Sequence, residues 1–515
     1  MQNEKRFSLQ SFDNDQQLIS IGIISPVDEC PGWLIEAVNR LSKLDGVRLR
    51  SIPANHQRKV GPVFRAFKWL TGKLLPGHAG LLGTGRLPSI PTAAPGEAID
   101  FLIDPGYSAI AKTLTAADHT LIWKIGSLPV AHPLAGLREW CAGEEVTYTT
   151  LSGGALDTIH SACTRTFPLS YPKNMSRVYV RAINTLVDGI TALASNQKKT
   201  GNTGPENGSA GQFENETILA GMAFMVLALR LVNKVFLRLM TDERWVLKIG
   251  TKKAFDQEGP QGMQFLMPPG KWFWADPFLA TQDDRTFLFV EECPSLDGKG
   301  HLSCIEIEGG DSTPRATVIL DKPYHLSYPN VFRYRDNWYM IPESSANRTI
   351  DLYEAEEFPY RWKFRKTLRS DISAFDSTLL FTQDKVWLFC NVNRHEAGTP
   401  EDDLFIFHTS ELLEGEWTPH RANPVKSDPY TSRPAGAFLM ENGQIIRPSQ
   451  VGVPRYGHAI ALNRVIELNE QVYREETIRL VRPGQGLLAT HTLNVSGDQA
   501  VVDVIRDTNP FSAKR

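Results

Sequence analysis

The first part of the chain alternates continuous apolar runs with apolar positions at helical spacing. Residues 18–24 form an apolar run, residues 34–41 place apolar side chains three and four positions apart, and residues 47–52 alternate apolar and polar side chains. This order of strand, helix and strand is typical of a β-α-β unit. Because consecutive strands of such a unit run in the same direction, the pattern predicts a parallel sheet.

Two further runs extend the same pattern. AIDFLID at 98–104 and TLIWKIG at 120–126 are short, almost wholly apolar and bounded by turn residues, as buried strands are. We therefore predict an α/β domain with a parallel sheet over residues 17–193.

A basic, Gly- and Pro-rich segment, residues 54–97, interrupts this domain. A connection of that length inside a compact domain is either functional or mobile. The composition favours a mobile segment.

Residues 194–216 are predicted to form a flexible linker. They are rich in Gly, Asn and Ser and contain no large aliphatic side chain.

The sequence of residues 217–240 predicts an amphipathic helix. It either packs its apolar face on a domain, or lies on a membrane with Arg230, Lys234 and Arg238 towards anionic headgroups. The twelve uncharged residues before Arg230 are fewer than the ~20 that a membrane span needs.

A composite phrase recurs in the second half of the chain: a polar residue, a proline or small residue, an apolar strand, a turn and a second apolar strand. The copies are ADPFLATQDDRTFLFVEE (275–292), SYPNVFRYRDNWYMIPESS (327–345), FDSTLLFTQDKVWLFCNVN (375–393) and RPAGAFLMENGQIIRPSQ (433–450). Hairpin units repeated about every 50 residues indicate the blades of a β-propeller.

A fifth, shorter unit is predicted at 455–476. The tail at 486–507 is expected to close the ring with residues 244–254. These segments predict an all-β, five-bladed propeller over residues 244–515, so the whole chain is a multidomain protein.

Composition excludes some functions. A net charge of −3 and a pI near 6.5 argue against a nucleic-acid partner. The six cysteines are scattered, with no CxxC pair and no histidine cluster at ligand spacing, so no metal or other cofactor is expected. Because residues 1–17 lack the apolar segment of a secretory signal, we expect a cytoplasmic protein, with membrane association through 217–240 as an option.

The innermost strand of each propeller blade lines the central channel, so the polar residues at the strand starts are expected to converge. These residues are Asp276, Asn330, Asp376, Arg433 and, in the fifth unit, His458.

Asp276, Glu343 and Asp376 are the predicted catalytic residues. Two carboxyl groups in one pocket can divide glycosyl chemistry, one transferring a proton and the other stabilising positive charge at the anomeric carbon. The alternative for Asp276 and Asp376 is that each accepts backbone hydrogen bonds and fixes a turn.

The remaining candidates are predicted to bind the substrate. Arg433 and Arg447 could hold a phosphate or carboxylate, or could form ion pairs between blades. Tyr328 and Trp274 could stack on sugar rings, whereas tryptophan is more often a core residue.

The phrases WADPFL, LSYPNVF, FDSTLLF, SRPAGAFL and IIRPSQ resemble the propeller domain of glucosamine inositolphosphorylceramide transferases. More distantly, the phrase ADPF resembles five-bladed arabinanase- and xylosidase-type glycoside hydrolases. Those hydrolases carry an aspartate where this chain has Asn330, so their catalytic set is not reproduced. The N-terminal half resembles a formyltransferase-like domain, but AHPLAGL at 131–137 supplies only His132 and Pro133 of the motif that formyl transfer requires.

The resemblance implies a carbohydrate-active protein of glycan or glycolipid biosynthesis that transfers or binds a sugar, nucleotide-activated or lipid-linked, in the propeller. A glycoside hydrolase is the first alternative. A non-catalytic module that binds a glycan or organises partner enzymes is the second.

Overall fold

The computed structural model describes most of the chain. The described residues are 18–26, 29–54, 61–74, 76–94, 97–107, 117–153, 158–195, 216–240, 243–294, 298–307 and 315–507. They divide into two compact units, an α/β unit that ends at Phe236 and includes His395–Thr399, and a propeller unit formed by Leu237–Arg394 and Pro400–Arg515. Of the predicted linker, residues 196–215 lie outside the described residues.

The α/β unit is built on one mixed sheet. Its strands are β1 (Ile19–Pro26), β2 (Cys30–Pro31), β3 (Val47–Ala54), β4 (Thr84–Gly85), β5 (Ile99–Asp104), β6 (Ala117–Ile125), β7 (Leu128–Pro129), β8 (Val146–Gly153) and β9 (Thr158–Arg165). The sheet order is β3-β1-β5-β6-β8-β9, with β7 beside β6, and β2 pairs only with β4. Strands β3, β1, β5 and β6 are parallel, which confirms the predicted parallel sheet, and β8 and β9 extend it in antiparallel fashion.

Helices cover this sheet. They are α1 (Gly32–Leu41), α2 (Pro62–Leu74), α3 (Ala79–Leu82), α4 (Leu137–Ala142), α5 (Tyr171–Ala194) and α6 (Glu216–Met240). Helix α5 begins where Ser170 Oγ accepts a hydrogen bond from Lys173 N, with Pro172 in the first turn. Trp123 of β6 donates its indole N–H to the Ala182 carbonyl of α5 at 3.0 Å, which fixes the helix against the sheet.

The expectation of a mobile segment at 54–97 is wrong for residues 61–74. These residues form α2, and Phe64 and Phe67 are buried in the core of the α/β unit. The Phe67 ring contacts Trp140, Tyr171 and Phe224. The helical spacing of its aromatic residues therefore outweighs the Gly and Pro residues that surround it.

The propeller unit consists of five sheets around one axis, which confirms the predicted number of blades. Blades 1 and 2 are β12 (Phe273–Gln282), β13 (Arg285–Cys293), β14 (His301–Ile307), β15 (Ala316–Leu320) and β16 (Ser327–Tyr334), β17 (Asn337–Glu343), β18 (Thr349–Glu357), β19 (Arg361–Ser370). Blade 3 is β20 (Ala374–Phe381), β21 (Val386–Val392), β22 (Asp403–Thr409), β23 (Thr418–Pro419) and β24 (Lys426–Ser427), and blade 4 is β25 (Leu439–Glu441), β26 (Gln444–Val451), β27 (Ala459–Leu468), β28 (Tyr473–Val481).

Blade 5 joins the two ends of the propeller unit. It contains β10 (Glu243–Thr251), β11 (Gln264–Leu266), β29 (Leu487–Ala489), β30 (Leu493–Ser496) and β31 (Gln499–Asp507), and the short helix α7 (Lys252–Glu258) connects β10 to β11. Strand β10 pairs along its whole length with β31, which confirms the predicted closure.

The unit predicted at 455–476 as a fifth blade is not a separate blade. Its residues form most of β27 and β28, which are the outer strands of blade 4. The fourth copy of the repeat and this unit together make one four-stranded sheet. The error arose because the inner strand of blade 4 is short and its outer strands repeat the strand-turn-strand pattern.

Replacing Phe67 with Ala tests whether α2 belongs to the core. Because Phe67 is fully buried, the cavity should lower the free energy of unfolding of the α/β unit by about 3–5 kcal/mol. Trp69, two positions along the same helix and 66% exposed, provides the matched control, and Trp69→Ala should change it by less than about 0.5 kcal/mol. Urea unfolding followed by circular dichroism measures both, and equal midpoints for Phe67→Ala and the wild type would contradict the assignment.

Candidate functional site on the propeller axis

Three inner strands begin with the same backbone irregularity. The register shifts between Ala275 and Phe278 in β12, and at the equivalent positions of β16 and β20. Asp276, Tyr328 and Asp376 occupy the bulges, with φ of 49°, 45° and 52°. Left-handed backbone is uncommon for residues other than glycine and clusters at functional sites. The equivalent of Asp276 in blade 2 is therefore Tyr328, not Asn330.

The second strands end beside these bulges and supply glutamates. Glu291 of β13 pairs with Ala275, and Glu343 of β17 pairs with Ser327, so the two glutamates occupy equivalent positions in blades 1 and 2. Glu343 is a residue predicted from the sequence, whereas Glu291 was not predicted. Alignment of the ends of TFLFVEE and WYMIPES would have found it.

Blade 5 supplies a histidine and an aspartate next to Asp276. His491 Nε2 lies 3.5 Å from Asp276 Oδ1, and His491 Nδ1 lies 2.6 Å from Asp503 Oδ2. Thr492 donates its hydroxyl hydrogen bond to Asp276 Oδ1 at 2.7 Å, and the Asp276 backbone N–H donates to Asp503 Oδ2 at 3.1 Å. Asp276 of blade 1 is thus linked to blade 5 by hydrogen bonds and by an ion pair with His491.

Arg433 of blade 4 connects two of the predicted acids. Its Nε donates to Asp376 Oδ2 at 2.6 Å and its NH2 group to Asp376 Oδ1 at 3.2 Å, while NH2 lies 3.8 Å from Glu343 Oε2. Gln450 Nε2 also donates to Asp376 Oδ2, at 2.7 Å. The Asp376 carboxylate therefore has well-paired oxygens and holds Arg433 in place.

These residues form one group, the axial cluster, all of them buried. It consists of Asp276, Glu291, Glu343, Asp376, Arg433, Gln450, His491 and Asp503. Four of the eight, Glu291, Gln450, His491 and Asp503, were not predicted from the sequence. His491 supplies the histidine of the axis that was predicted at His458.

Burial and mutual repulsion raise the pKa values of three of these carboxyl groups. Burial raises the pKa of Asp276 to about 6, with further increases from Asp376 and Asp503 that His491 opposes. Burial, with the charges of Asp276 and Glu343, raises the pKa of Glu291 well above its ordinary value. Burial and the charge of Asp376 do the same for the pKa of Glu343, against the attraction of Arg433.

The imidazole groups respond in opposite directions. Burial acts to lower the pKa of His491, but the attraction of Asp503 and Asp276 outweighs it, so the pKa is raised. Burial lowers the pKa of His325, whose Nε2 lies 3.3 Å from Glu291 Oε1. The raised pKa of Glu291 and the lowered pKa of His325 both favour the uncharged forms of this pair, whereas the raised pKa of His491 favours the protonated imidazole between two aspartates.

Asp276, His491 and Asp503 could also hold a metal ion. Each offers one ligand atom, and these atoms lie within 4.8 Å of one another. Carboxylate and imidazole are suitable ligands for several divalent cations. Both ring nitrogens of His491 already face carboxylates, so the three side chains are also satisfied as an ion-paired group without a metal.

Two predicted stacking residues lie in the core. Trp274 is fully buried and donates its indole N–H to Glu292 Oε1 at 3.0 Å. Tyr328 is also fully buried, and its hydroxyl group contacts Thr378 Oγ1 at 2.8 Å and accepts a hydrogen bond from Gly436 N at 2.7 Å. Neither ring has an open face, so the prediction that they stack on sugars is wrong.

Two more predicted binding residues are placed differently from the expectation. Asn330 is buried and donates its side-chain N–H to the Ser377 carbonyl at 2.9 Å, which links blades 2 and 3. The backbone N–H of His458 donates to Val451 O at 3.0 Å, immediately before β27. Because β27 is the third strand outward in its blade, His458 does not start an inner strand.

Arg447 forms a buried ion pair and is not available to a ligand. Its Nε and NH2 groups donate to the two carboxylate oxygens of Glu475 at 2.8 and 2.7 Å. Lys426 Nζ lies 2.6 Å from the same carboxylate. Although burial acts in the other direction, Arg447 and Lys426 lower the pKa of Glu475 to about 2. Arg447 thus forms an ion pair rather than a phosphate contact, but the pair lies within blade 4 and not between blades as the alternative stated, and it is Lys426 of blade 3 that reaches Glu475 from another blade.

Six of the eight residues of the axial cluster, all except His491 and Asp503, lie within a region that is similar to a known family. Residues 267–485 match the family model described as glucosamine inositolphosphorylceramide transferase 1, N-terminal. Glucosamine inositolphosphorylceramide transferase 1 of Oryza sativa subsp. japonica is 31% identical over 211 residues, which are 40% of this chain and 28% of that protein. The Arabidopsis thaliana protein of the same name is 31% identical over 206 residues, 39% of this chain and 27% of its own length. The chain thus matches less than a third of the length of these relatives.

Solved structures give more remote similarities. A family 117 glycoside hydrolase of Zobellia galactanivorans is 10% identical with a TM-score of 0.33, over 46% of this chain and 85% of that one. The catalytic domain of a GH62 α-L-arabinofuranosidase of Coprinopsis cinerea is 12% identical with a TM-score of 0.33, over 46% of this chain and 91% of that one.

Replacing Glu291 with Gln should stabilise the propeller above neutral pH, by about 0.5–2 kcal/mol. The pKa of Glu291 is raised in the folded state, so the free energy of unfolding of the wild-type protein falls as the pH rises through that pKa, because the folded protein must then bury the charge. Glu291→Gln cannot ionise and does not lose this free energy, so the difference in stability between the variant and the wild type should disappear in mild acid. Thermal melts at several pH values measure the effect, with exposed Glu416→Gln as the control. A lower melting temperature for Glu291→Gln at pH 8 would show that the carboxylate is stabilised rather than repelled.

Arg447→Met should lower the free energy of unfolding of the propeller by about 3 kcal/mol or more, because it leaves the buried Glu475 with Lys426 as its one remaining ion-pair partner among the described residues, beside the hydrogen bond from Tyr473. The double variant Arg447→Met/Glu475→Gln removes the unpaired charge and should recover part of the loss. Urea titration of the three proteins measures this. A loss of ligand binding in Arg447→Met at unchanged stability would restore the predicted ligand contact.

Proposed function

We propose that the axial cluster binds a sugar and that the protein transfers a glycosyl group during the assembly of a glycan or glycolipid. One observation carries the proposal: carboxyl groups from separate blades, with pKa values shifted to different extents, lie together in one buried cluster. The similarity of residues 267–485 to the N-terminal region of glucosamine inositolphosphorylceramide transferases supports the same chemistry.

Asp276, Glu343 and Asp376 are the proposed catalytic residues, as the sequence suggested. Glu343, with its raised pKa, would donate a proton to the oxygen that leaves the anomeric carbon. Asp276, beside the protonated His491, would accept the proton of the incoming hydroxyl group. Asp376 and the Arg433 that it holds would position the sugar by hydrogen bonding. Glu291 is added as a further hydrogen-bonding group.

Charge favours a neutral sugar in the pocket over a phosphate. The axial cluster contains five carboxyl groups, with one guanidinium and one imidazole to balance them. Arg433 is already paired with Asp376, and Arg447 with Glu475. A nucleotide or lipid diphosphate would meet a negative potential there, so we propose that the glycan part of the substrate enters and any phosphate stays outside.

A glycoside hydrolase is the second candidate, because the same pair of acid and base can activate water instead of a sugar hydroxyl. A non-catalytic glycan-binding module is the third. We propose a cytoplasmic location, which the six buried cysteine thiols, none of them in a disulfide, support. We propose that the α/β unit has a formyltransferase-like fold. Formyl transfer is not proposed, because AHPLAGL at 131–137 supplies only His132 and Pro133 of the motif that it requires.

Ligand-observed NMR of the full chain with neutral oligosaccharides, sugar phosphates and nucleotide sugars tests the site. We expect neutral glycans to bind, and Asp276→Asn and Glu343→Gln to change their affinity, while Glu416→Gln does not. Asparagine is chosen at 276 because it tolerates the left-handed backbone there. Repeating the titration with a chelator shows whether a metal at Asp276, His491 and Asp503 contributes.

Product analysis then separates the candidates. Transfer predicts a new glycosidic bond to an added sugar acceptor, and Glu343→Gln should slow it about 10²–10⁴-fold. Release of reducing sugar without transfer would favour the hydrolase, and binding without turnover would favour the module. Binding that is identical in wild type, Asp276→Asn and Glu343→Gln would remove the axial cluster from the proposal.

A further inference from the structure

Helix α6 has two apolar faces, and among the described residues other side chains pack on only one of them. Leu219, Ala220, Ala223 and Leu227 pack into the core of the α/β unit. On the opposite side an exposed apolar stripe runs along the helix. The stripe consists of Ile218, Met225, Leu229 and Val232, each more than half exposed. An exposed apolar surface of this length marks a binding surface for another apolar phase.

Helix α2 carries a second exposed face of complementary character. This face begins at Arg65 and continues with Lys68, Trp69 and Lys73, which lie three, four and eight positions after Arg65. The four residues therefore share one side of the helix, and all four are exposed. An aromatic ring surrounded by lysine and arginine side chains is typical of a helix that lies at a membrane surface. The two helices are neighbours, because Phe67 of α2 contacts Phe224 of α6 with 5.1 Å between ring centroids.

Charge identifies the partner. Residues 55–96 contain six Lys and Arg residues and no Asp or Glu, and residues 217–240 contain three Lys and Arg residues and again no acid. The whole chain is nevertheless slightly acidic, with a net charge of −3. These two segments therefore have a net positive charge, because they contain no acid, and they also expose apolar side chains.

We propose that the exposed faces of α2 and α6 together bind the surface of an anionic lipid bilayer. Leu229, Met225 and Trp69 enter the headgroup region, and Arg65, Lys68, Lys73 and Lys234 contact lipid phosphates. This extends membrane contact from the helix at 217–240 to the basic segment that precedes β5. It does not depend on what the propeller binds.

Two other occupants of the surface are less consistent with the contacts. By length and composition Thr217–Val235 could cross a membrane, so the expectation that this helix is too short does not hold on length alone. A crossing helix would lose its contacts with the α/β core, where the Arg230 guanidinium lies 4.7 Å from the Trp140 ring centre and donates to the Trp140 carbonyl at 2.8 Å. A second copy of the chain would bring two cationic faces together, which is repulsive.

Flotation of the purified full-length protein with vesicles tests the proposal. One set is phosphatidylcholine alone and the other is an equimolar mixture of phosphatidylcholine and phosphatidylglycerol. We expect binding to the anionic vesicles only, with release at high salt. Arg65→Gln/Lys68→Gln/Lys73→Gln should weaken vesicle binding by about fivefold for each cation removed. This is the contribution that one Lys or Arg near an anionic membrane surface typically makes to the binding constant. Trp69→Ala and Leu229→Ser should each weaken it as well.

The propeller provides matched controls. Arg361, Lys363 and Arg365 are exposed on β19 beside the exposed Phe364. The triple change of these cations to Gln alters the net charge equally, and Phe364→Ala removes an exposed aromatic ring. Both controls should bind vesicles as the wild type does.

Several outcomes would overturn the proposal. Equal binding to neutral vesicles, or equal losses in the control variants, would remove the specific surface. Extraction only by detergent would indicate a spanning helix, and vesicle-independent dimerisation abolished by Leu229→Ser would indicate a second copy. Glycan binding measured in the same samples reports on the propeller separately, so failure of one proposal is distinguishable from failure of the other.

Discussion

The pairing of β10 with β31 is the interaction on which the propeller depends. Nine residue pairs, from Glu243–Asp507 to Thr251–Gln499, join the start of this unit to its end. The same sheet carries β30, and the turn before it places His491 and Thr492 against Asp276 of blade 1. Without this closure the first and last blades would both present open edges, and Asp503 would lie far from Asp276.

Closure also creates the electrostatic problem of the axis. Each inner strand is compatible with one polar residue at its start, but the convergence of five strands brings several carboxyl groups into a volume that water barely reaches. Three features reduce the resulting repulsion: an ion pair with Arg433, a histidine between two aspartates, and glutamates whose raised pKa values favour the neutral form. Carboxyl groups with pKa values shifted to different extents within one cluster are suited to the proton transfers that the proposed function requires.

Much of the architecture could be predicted because it repeats. The spacing of Pro277, Pro329 and Ser377 gave the blades, and the apolar runs of β1 and β5 gave the parallel sheet. Other features have no repeated signal. His491 lies in a tail that shares no phrase with the other blades, and α2 is hidden among Gly and Pro residues although Phe64 and Phe67 have helical spacing. Arg447 and Arg433 have the same local sequence, arginine followed by proline, and only the fold shows that one faces Glu475 and the other the axis.

The bulges at Asp276, Tyr328 and Asp376 have a consequence for how the axis can change by mutation. Their backbone favours Asp, Asn or Gly, so exchange of aspartate and asparagine at 276 or 376 alters charge with little conformational cost. Tyr328 adopts the same backbone less readily but connects Thr378 to Gly436 through its hydroxyl group. An aspartate at 328 would suit the backbone and add a carboxylate while breaking that connection. An additional acid in the second blade would therefore cost the packing between blades that Tyr328 provides.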